Sequence, residues 1–265
     1  MIRLVAAALM FCAGLAQAET MRLAVTTSFH NSGLSDVLLP RIAADTGIEV
    51  QLLVVGTGQA LRLGAAGDVD AVLVHSRAAE EAFVAQDHAT HRREIMVNDF
   101  VLIGPADDPA GIAAGAASAA AALGRIADFA QPFVSRGDDS GTHRRERALW
   151  RDADRDADGF GPWYKEAGAG MGAALNTAAG LGAYILADRA SWLNFANKGD
   201  LVLLYAGDPA LLNQYAYLPV NPARHPNVKA EAARRLEDWL TGPEAARLID
   251  GYRIAGERLF TFNAR

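Results

Sequence analysis

The stretch VQLLVVGTGQALRLGAAGDVDAVLVH, residues 50–75, contains the pattern that decides the fold. Val50 to Val55 is an apolar strand, Gly56-Thr57-Gly58 interrupts it, Gln59 to Leu63 has helical spacing, and Asp70 to His75 is a second strand. A strand, a helix and a second strand at this interval predict a βαβ unit, in which the two strands are parallel.

The same alternation continues on both sides of this stretch. Parallel sheets built from such units carry helices on both faces, so we predict an α/β fold. The other predicted strands are 23–25, 100–103, 133–134, 183–186 and 201–205. The other predicted helices are 34–44, 80–85, an alanine-rich helix within 110–130 anchored by Ile112, Leu123, Ile126 and Phe129, 143–150, 173–179, and two amphipathic helices between 228 and 258.

The first eighteen residues differ from the rest of the chain. Arg3 precedes an apolar run from Leu4 to Leu15, and Ala16-Gln17-Ala18 provides small residues for cleavage. The run is well short of the roughly 20 residues that a helix needs to span a bilayer. We therefore predict a signal peptide over residues 1–18, cleaved after Ala18, and export of the remaining chain to the periplasm.

Charge and cysteine content exclude several kinds of partner and bond. The formal net charge is −6, and it becomes −7 when Arg3 is removed with the signal peptide. An acidic chain without a basic stripe argues against nucleic acid or an anionic membrane as partner. The single cysteine, Cys12, lies in the predicted signal peptide, so the exported chain has no disulfide and its apolar core alone holds the fold.

Three polar loops follow predicted strands and precede helices. They are Thr26-Thr27-Ser28 within the loop 26–32, Gly56-Thr57-Gly58, and residues 135–142 with Ser140-Gly141-Thr142 at their end. Helix N-termini expose unpaired N–H groups and a positive dipole end, and these groups bind anions. Hydroxyls add donors, and glycines allow close approach. The alternative is that these residues only cap the helices.

Arg136 is the only cation in these three loops. A guanidinium grips a tetrahedral oxyanion through a planar fork of donors and keeps its charge. The alternative is a surface salt bridge to Asp138 or Asp139. A further glycine-rich segment, with Met171 and Gly172 at its end, precedes the helix at 173 and offers either backbone donors or a flexible linker.

Several segments resemble the tungstate-binding proteins of ABC transporters, and together they extend over nearly all of the chain beyond the signal peptide. The most specific are VGTGQA at 55–60 and SRGDDSGTH at 135–143. The others are residues 26–28, 67–75, 98–105, 163–164, 170–172, 188–189 and 220–222.

The resemblance implies a two-lobed periplasmic binding protein of type II. Each lobe would have a mainly parallel sheet flanked by helices, and two crossing strands would form the hinge. Because the chain must cross twice, lobe I comprises residues 19–99 and 213–265, and lobe II residues 100–212. The cleft would hold a tungstate or molybdate dianion and deliver it to a membrane permease. The resemblance implies a monomer that needs no cofactor and no metal ion besides the oxyanion, and these anion contacts: Thr26, Thr27, Ser28, Thr57, Gly58, Arg136, Ser140, Gly141, Thr142, Met171 and Gly172.

Other ligands and activities remain as alternatives. Sulfate, like tungstate, needs donors only, whereas phosphate retains a proton near neutral pH and needs an acceptor, which Asp138 or Asp139 would supply by pointing inward. An organic solute would want an apolar wall in the cleft. An exported hydrolase would need a nucleophile, and the chain has no G-x-S-x-G elbow, so we expect no enzyme.

Two residue patterns imitate metal sites. Asp154, Asp156 and Asp158 are spaced like the start of a calcium loop, but Lys165 stands where the bidentate glutamate belongs. His88 and His91 have helical spacing without a suitably spaced carboxylate or a cysteine. We expect no metal site at either place.

Overall fold

A computed structural model describes residues 19–264, and the predicted signal peptide lies outside them. Within this range the chain forms a mixed sheet of ten strands and a separate two-stranded hairpin. The strands are β1 (Glu19–Thr26), β2 (Ile48–Val55), β3 (Ala71–Val74), β4 (Arg93–Pro105), β5 (Phe133–Ser135), β6 (Tyr164–Glu166), β7 (Tyr184–Asp188), β8 (Leu201–Tyr205), β9 (Leu212–Pro219), β10 (Arg253–Ile254), β11 (Glu257–Arg258) and β12 (Thr261–Phe262). The helices are α1 (Thr27–Asn31), α2 (Leu34–Thr46), α3 (Thr57–Ala66), α4 (Arg77–Ala85), α5 (Ile112–Gly115), α6 (Ala119–Asp128), α7 (Gly141–Asp152), α8 (Met171–Leu181), α9 (Arg189–Asn194), α10 (Ala230–Leu240) and α11 (Pro243–Gly251).

One side of the sheet is built on β2, β1 and β3, which are parallel neighbours. Side chains alternate between the two faces of a strand, so Leu23 and Val25 of β1 point to one face and Ala24 to the other. Leu23 and Val25 pack in a buried cluster with residues of α2, α10 and α11. Ala24 packs in a second cluster with residues of α3 and α4. Helices therefore cover both faces, as predicted.

The other side of the sheet is built on β6, β5 and β7, which are also parallel. A cluster containing Phe133 and Trp150 covers one face, and a cluster containing Val134 and Leu175 covers the other. The α/β fold is thus confirmed, with a sheet that is mixed because further strands join it in the antiparallel sense.

Strand β4 connects the two sides. Its first part, residues 93–99, pairs with β9, and its second part, residues 100–105, pairs with β7 and β8, all antiparallel. Strand β9 lies between β3 and β4 and pairs with both. Strands β4 and β9 therefore hold together the two sides of the sheet, which carry the loops after β1, β2 and β5.

Several boundaries differ from the predicted ones. The polar loop after β1 contains the short helix α1, because the side chain of Thr26 caps it by accepting from the N–H of Phe29. The alanine-rich segment is two helices rather than one, since Ser118 caps a new helix there. Phe129 is 57 % exposed and is not an anchor, whereas the other three predicted anchors of that segment are buried. The C-terminal helices end at Gly251, short of the predicted 258.

Strands β6 and β9 and helix α9 were not predicted, and β4 begins seven residues before the predicted strand at 100. Strand β9 contains Asn213 and Gln214, and the first part of β4 begins with charged residues, so neither segment reads as a simple apolar run. No helix within residues 19–264 is long and apolar enough to span a membrane.

Glu146 on α7 gives the fold a measurable pH dependence. Its carboxylate is buried and accepts hydrogen bonds from Trp150 Nε1 at 3.1 Å and from the Tyr164 hydroxyl at 2.7 Å. Burial raises the pKa of Glu146 from 4.5 to about 7, although these hydrogen bonds oppose the rise. The folded protein therefore binds more protons than the unfolded chain between these pH values, and the free energy of unfolding falls as pH rises through this window.

We expect Glu146→Gln to remove this part of the pH dependence, because the amide oxygen still accepts both hydrogen bonds and does not ionise. Between pH 5 and pH 8 the wild type should lose on the order of 2 kcal/mol more stability than the variant in urea unfolding. Replacing the exposed Glu49 by Gln is the control and should leave the pH profile unchanged. If the free energies of unfolding of the wild type and Glu146→Gln changed with pH in the same way, the pH dependence would not come from Glu146.

Candidate functional site

The polar loops predicted from the sequence lie at the N-termini of four helices. Thr26 caps α1, Thr57 is the first residue of α3, Ser140 caps α7, and Met171 is the first residue of α8. The side chains of Thr26 and Ser140 accept from backbone N–H groups of their own helices, so both residues are N-caps as well as candidate anion contacts. The alternative that these residues cap helices is thus correct for the hydroxyl oxygens of Thr26 and Ser140, which act as acceptors.

Contacts between these loops bring them together. Ser28 of α1 is hydrogen-bonded to His75, at the end of β3, and His75 lies directly against Gly141 at the start of α7. Gly58 of α3 lies against Asp139, since a methyl carbon at position 58 would be 3.2 Å from Asp139 Oδ2. These contacts join residues that are 47, 66 and 81 positions apart, so the loops after β1, β2, β3 and β5 lie close together.

The hydroxyl of Ser28 is the centre of a buried polar cluster. Its Oγ lies 3.1 Å from Thr26 Oγ1, 3.1 Å from His75 Nε2 and 3.4 Å from the Tyr215 hydroxyl. Each of these four side chains is less than 10 % exposed. Thr27 is partly buried beside them. Buried hydroxyls need partners, and several donors in one cluster can turn toward a bound anion.

His75 is neutral in this cluster. Burial lowers its pKa to about 4, and the positive charges of Arg136 and Arg145 lower the pKa further. Its second nitrogen, Nδ1, is buried and has no hydrogen-bond partner. His75 was not a predicted site residue, although it ends the strand 70–75 from which the prediction of the fold began.

Thr57 presents a hydroxyl without a partner. The residue is fully buried, and its Oγ1 makes no hydrogen bond to the protein. An unpaired buried hydroxyl costs about 1–3 kcal/mol, so native structures rarely retain one without a reason. A ligand at the N-terminus of α3 would give this hydroxyl an acceptor.

Arg136 is buried, and it forms the alternative salt bridge to Asp138 as a buried pair rather than a surface one. It is 2 % exposed, and its Nε donates to the carbonyl oxygen of Ala169 at 2.8 Å. Its NH2 group donates to Asp138 Oδ2. The contact with Ala169 also connects Arg136 to the segment just before α8, so this guanidinium joins two of the four loops.

Asp138 and Asp139 have different roles. Asp138 accepts from Arg136 with one oxygen and from the N–H of Ser140 with the other, at 3.1 Å. Asp139 has an exposed side chain that pairs with Arg144 at 2.9 Å. Asp139 makes no hydrogen bond with the Ser28 cluster, and both oxygens of Asp138 are already engaged by protein donors.

Gly141 and Thr142 form the first turn of α7. A methyl carbon at position 141 would lie 2.5 Å from Cε1 and 2.7 Å from Nδ1 of His75, so only glycine allows this approach. Thr142 is 1 % exposed. At the start of α8, the Met171 side chain is fully buried in an apolar cluster and Gly172 has no side chain, so only backbone N–H groups of these two residues are available as donors.

Asp188 and Tyr215 also belong to this region and were not predicted as site residues. Asp188 is fully buried, its Oδ1 accepts from the N–H of Ser191 at 2.8 Å, and its Oδ2 has no partner. Burial raises the pKa of Asp188, although the Ser191 hydrogen bond and the charge of Arg136 oppose the rise. The only sequence signal for Asp188 is its place in one of the resembling segments, 188–189.

Comparisons with known proteins agree on one family. The model of the PBP superfamily domain matches residues 13–244. The tungstate-binding protein TupA of Peptoclostridium acidaminophilum is 44 % identical over 245 residues, which are 91 % of this chain and 85 % of that protein. The chain belongs to the PBP superfamily and, within it, to the TupA family of tungstate-binding proteins.

Solved structures of this family have the same fold. The tungstate-binding protein TupA of Desulfovibrio alaskensis G20 superimposes with a TM-score of 0.83 at 43 % identity, covering 94 % of this chain and all of that one. The tungstate ABC transporter structure from Geobacter sulfurreducens has a TM-score of 0.81 at 46 % identity, covering 88 % of this chain and 99 % of that one. The two-lobed periplasmic-binding-protein fold predicted for this chain is therefore confirmed.

Proposed function

We propose that this chain is an extracytoplasmic substrate-binding protein that captures tungstate in the cleft between its lobes and delivers it to an ABC transporter permease. The observation that carries the proposal is the convergence of helix N-termini around buried hydroxyls and one buried guanidinium. Thr57 Oγ1 without a partner and the contact of His75 with Gly141 support it. Membership of the TupA family supports tungstate as the ligand.

The donor set suits a fully deprotonated dianion. Hydroxyls, backbone amides and Arg136 all donate, and such donors stabilise negative charge at a helix N-terminus. Phosphate needs an acceptor for its proton, and both oxygens of Asp138 are occupied. Within residues 19–264, Asp188 Oδ2 is a buried carboxylate oxygen near the site that has no hydrogen-bond partner. Such an oxygen could accept the proton of phosphate, so phosphate belongs among the ligands tested.

We propose the lobe boundaries predicted from the sequence, with lobe I at residues 19–99 and 213–265 and lobe II at residues 100–212. The pairing of β4 and β9 supports this division, because these strands connect the two sides of the sheet. The contacts His75–Gly141 and Gly58–Asp139 then join opposite lobes and describe a closed form. Closing would bring the donors onto the anion, and the closed form is what a permease would recognise.

We further propose that the chain acts as a monomer in the periplasm, after cleavage behind Ala18, and that it is a binding protein rather than an enzyme. The cluster of donors supports a binding role, and the hydroxyl oxygens of Thr26 and Ser140 accept from backbone N–H groups of the helices that they cap. Molybdate is the alternative ligand, since it has the same shape and charge as tungstate.

Thermal unfolding of the mature chain with sodium tungstate, molybdate, sulfate and phosphate tests the proposal. A ligand at 100 times its dissociation constant stabilises the native state by about 2.7 kcal/mol, which raises the melting temperature of a chain of this size by about 5–10 °C. We expect tungstate to give this increase at the lowest concentration. The largest increase with phosphate would point to Asp188 as an acceptor and would contradict the proposal, as would no increase with any of the four.

A further inference from the structure

A surface cavity of about 490 Å³ opens between α4 and α7 and ends at the candidate site. Its two buried lining residues are His75 and Gly141, which touch each other where the lobes meet. We call this cavity the arginine groove. Its other lining residues are Ser76, Arg77, Ala78, Ala79, Glu81, Arg144, Arg145, Ala148 and Arg151.

The arginine groove is strongly positive. Four arginines and one glutamate line it. Arg77 pairs with Glu81 at 2.7 Å, and Arg144 pairs with Asp139 at 2.9 Å. Neither Arg145 nor Arg151 has a carboxylate within ion-pair distance among residues 19–264, and Arg151 is exposed. The positive charges of Arg145 and Arg151 are therefore left without a neutralising partner in the arginine groove.

This local charge opposes that of the molecule as a whole. The net charge of the chain is −6, which repels a dianion at long range. A concave surface lined by one sign of charge raises the local concentration of counter-ions and their association rate. The field of Arg145 reaches the site itself, since its charge contributes to lowering the pKa of His75.

We propose that the arginine groove is an outer capture surface, which attracts tetrahedral dianions from solution and passes them to the buried site. The inference rests on the proposed function. The arginines of the groove act on the encounter, before the lobes close, whereas Arg136 holds the bound anion. They should therefore determine how fast the anion binds and have little effect on how fast it leaves.

Stopped-flow binding of sodium tungstate to the mature chain, at ionic strengths from about 0.01 to 0.5 M, tests this role. The variant is Arg145→Gln/Arg151→Gln. The control is Arg234→Gln/Arg247→Gln, which removes the same charge from α10 and α11, helices that pack in the cluster on the opposite sheet face from α4. Both control arginines are exposed and lie outside the groove and the site.

At low ionic strength we expect the association rate of the groove variant to fall by about 3- to 10-fold, with a dissociation rate within about twofold of the wild type. The difference should vanish at 0.5 M salt, because charges are then screened within a few ångströms. The control should behave as the wild type. Unchanged association rates in the groove variant, an equal fall in the control, or a change confined to dissociation would overturn the inference while leaving the proposed function intact. A wild type that does not bind tungstate would overturn both.

Discussion

We expect the replacement of Arg136 with alanine to lower the affinity for tungstate by about 100-fold or more. The guanidinium is buried, and hydrogen bonds to Ala169 and Asp138 hold it in the candidate site. Removing one partner of a buried, hydrogen-bonded charge pair costs about 2–5 kcal/mol. The loss applies to every dianion, because shape and charge are common to them all. Isothermal titration calorimetry with tungstate and molybdate measures it.

Two further variants separate anion binding from folding. Arg136→Lys keeps the positive charge but loses the fork of donors, so we expect an intermediate affinity. Arg125→Ala is the matched control, because Arg125 also lies in the proposed lobe II and its Nε also donates to a carbonyl oxygen, that of Ala110, at 2.8 Å. Arg125→Ala should bind tungstate as the wild type does. Full affinity in a folded Arg136→Ala protein would remove Arg136 from the site.

We expect the replacement of Gly141 with alanine to prevent the proposed lobes from closing fully. The added methyl group would lie 2.5 Å from His75 Cε1, and His75 is itself held by Ser28 and enclosed by Tyr215. Because moving the His75 ring aside would break its hydrogen bond with Ser28, we expect the contact between His75 and α7 to open instead. We expect the affinity for tungstate to fall by about 10- to 100-fold, since the donors on either side no longer meet around the anion.

The fall should appear without a matching loss of stability in the ligand-free protein, because an open cleft relieves the clash. Small-angle X-ray scattering with tungstate present should show a larger radius of gyration for Gly141→Ala than for the wild type. Gly124→Ala is the control, since Gly124 also lies in a helix and a methyl group there meets nothing within 4 Å. Wild-type affinity in Gly141→Ala would show that His75 and Gly141 are not pressed together in the bound form.

Local sequence patterns were sufficient where a residue's role depends on its near neighbours. The apolar run before Gly56 predicts β2, and the residues after it begin a helix, so Thr57 and Gly58 were placed at a helix N-terminus from the sequence. The same holds for Ser140, Gly141 and Thr142. Which of these residues contact an anion stays a prediction, and Arg136→Ala and Gly141→Ala are its direct tests.

Long-range contacts were beyond those patterns. Tyr215 contacts Ser28 from a strand 187 residues further along the chain. No local sequence pattern around either residue predicts this contact. His75 and Asp188 were passed over because each ends an apolar strand, where a polar residue ordinarily marks only the end of the strand. Their burial, and the unpaired atoms His75 Nδ1 and Asp188 Oδ2, depend on what packs over the strand ends.

The sequence by itself determined the α/β fold and the helix N-termini that carry the candidate donors, because strand and helix periodicity and capping are properties of neighbouring residues. The resemblance of whole segments, and not periodicity, indicated the family. Only the tertiary structure decided that Arg136 is buried while Asp139 is exposed, that Met171 points into the core, and that His75 meets Gly141. Those outcomes follow from how β4 and β9 bring distant segments together, and the packing of distant segments has no local signature in the chain.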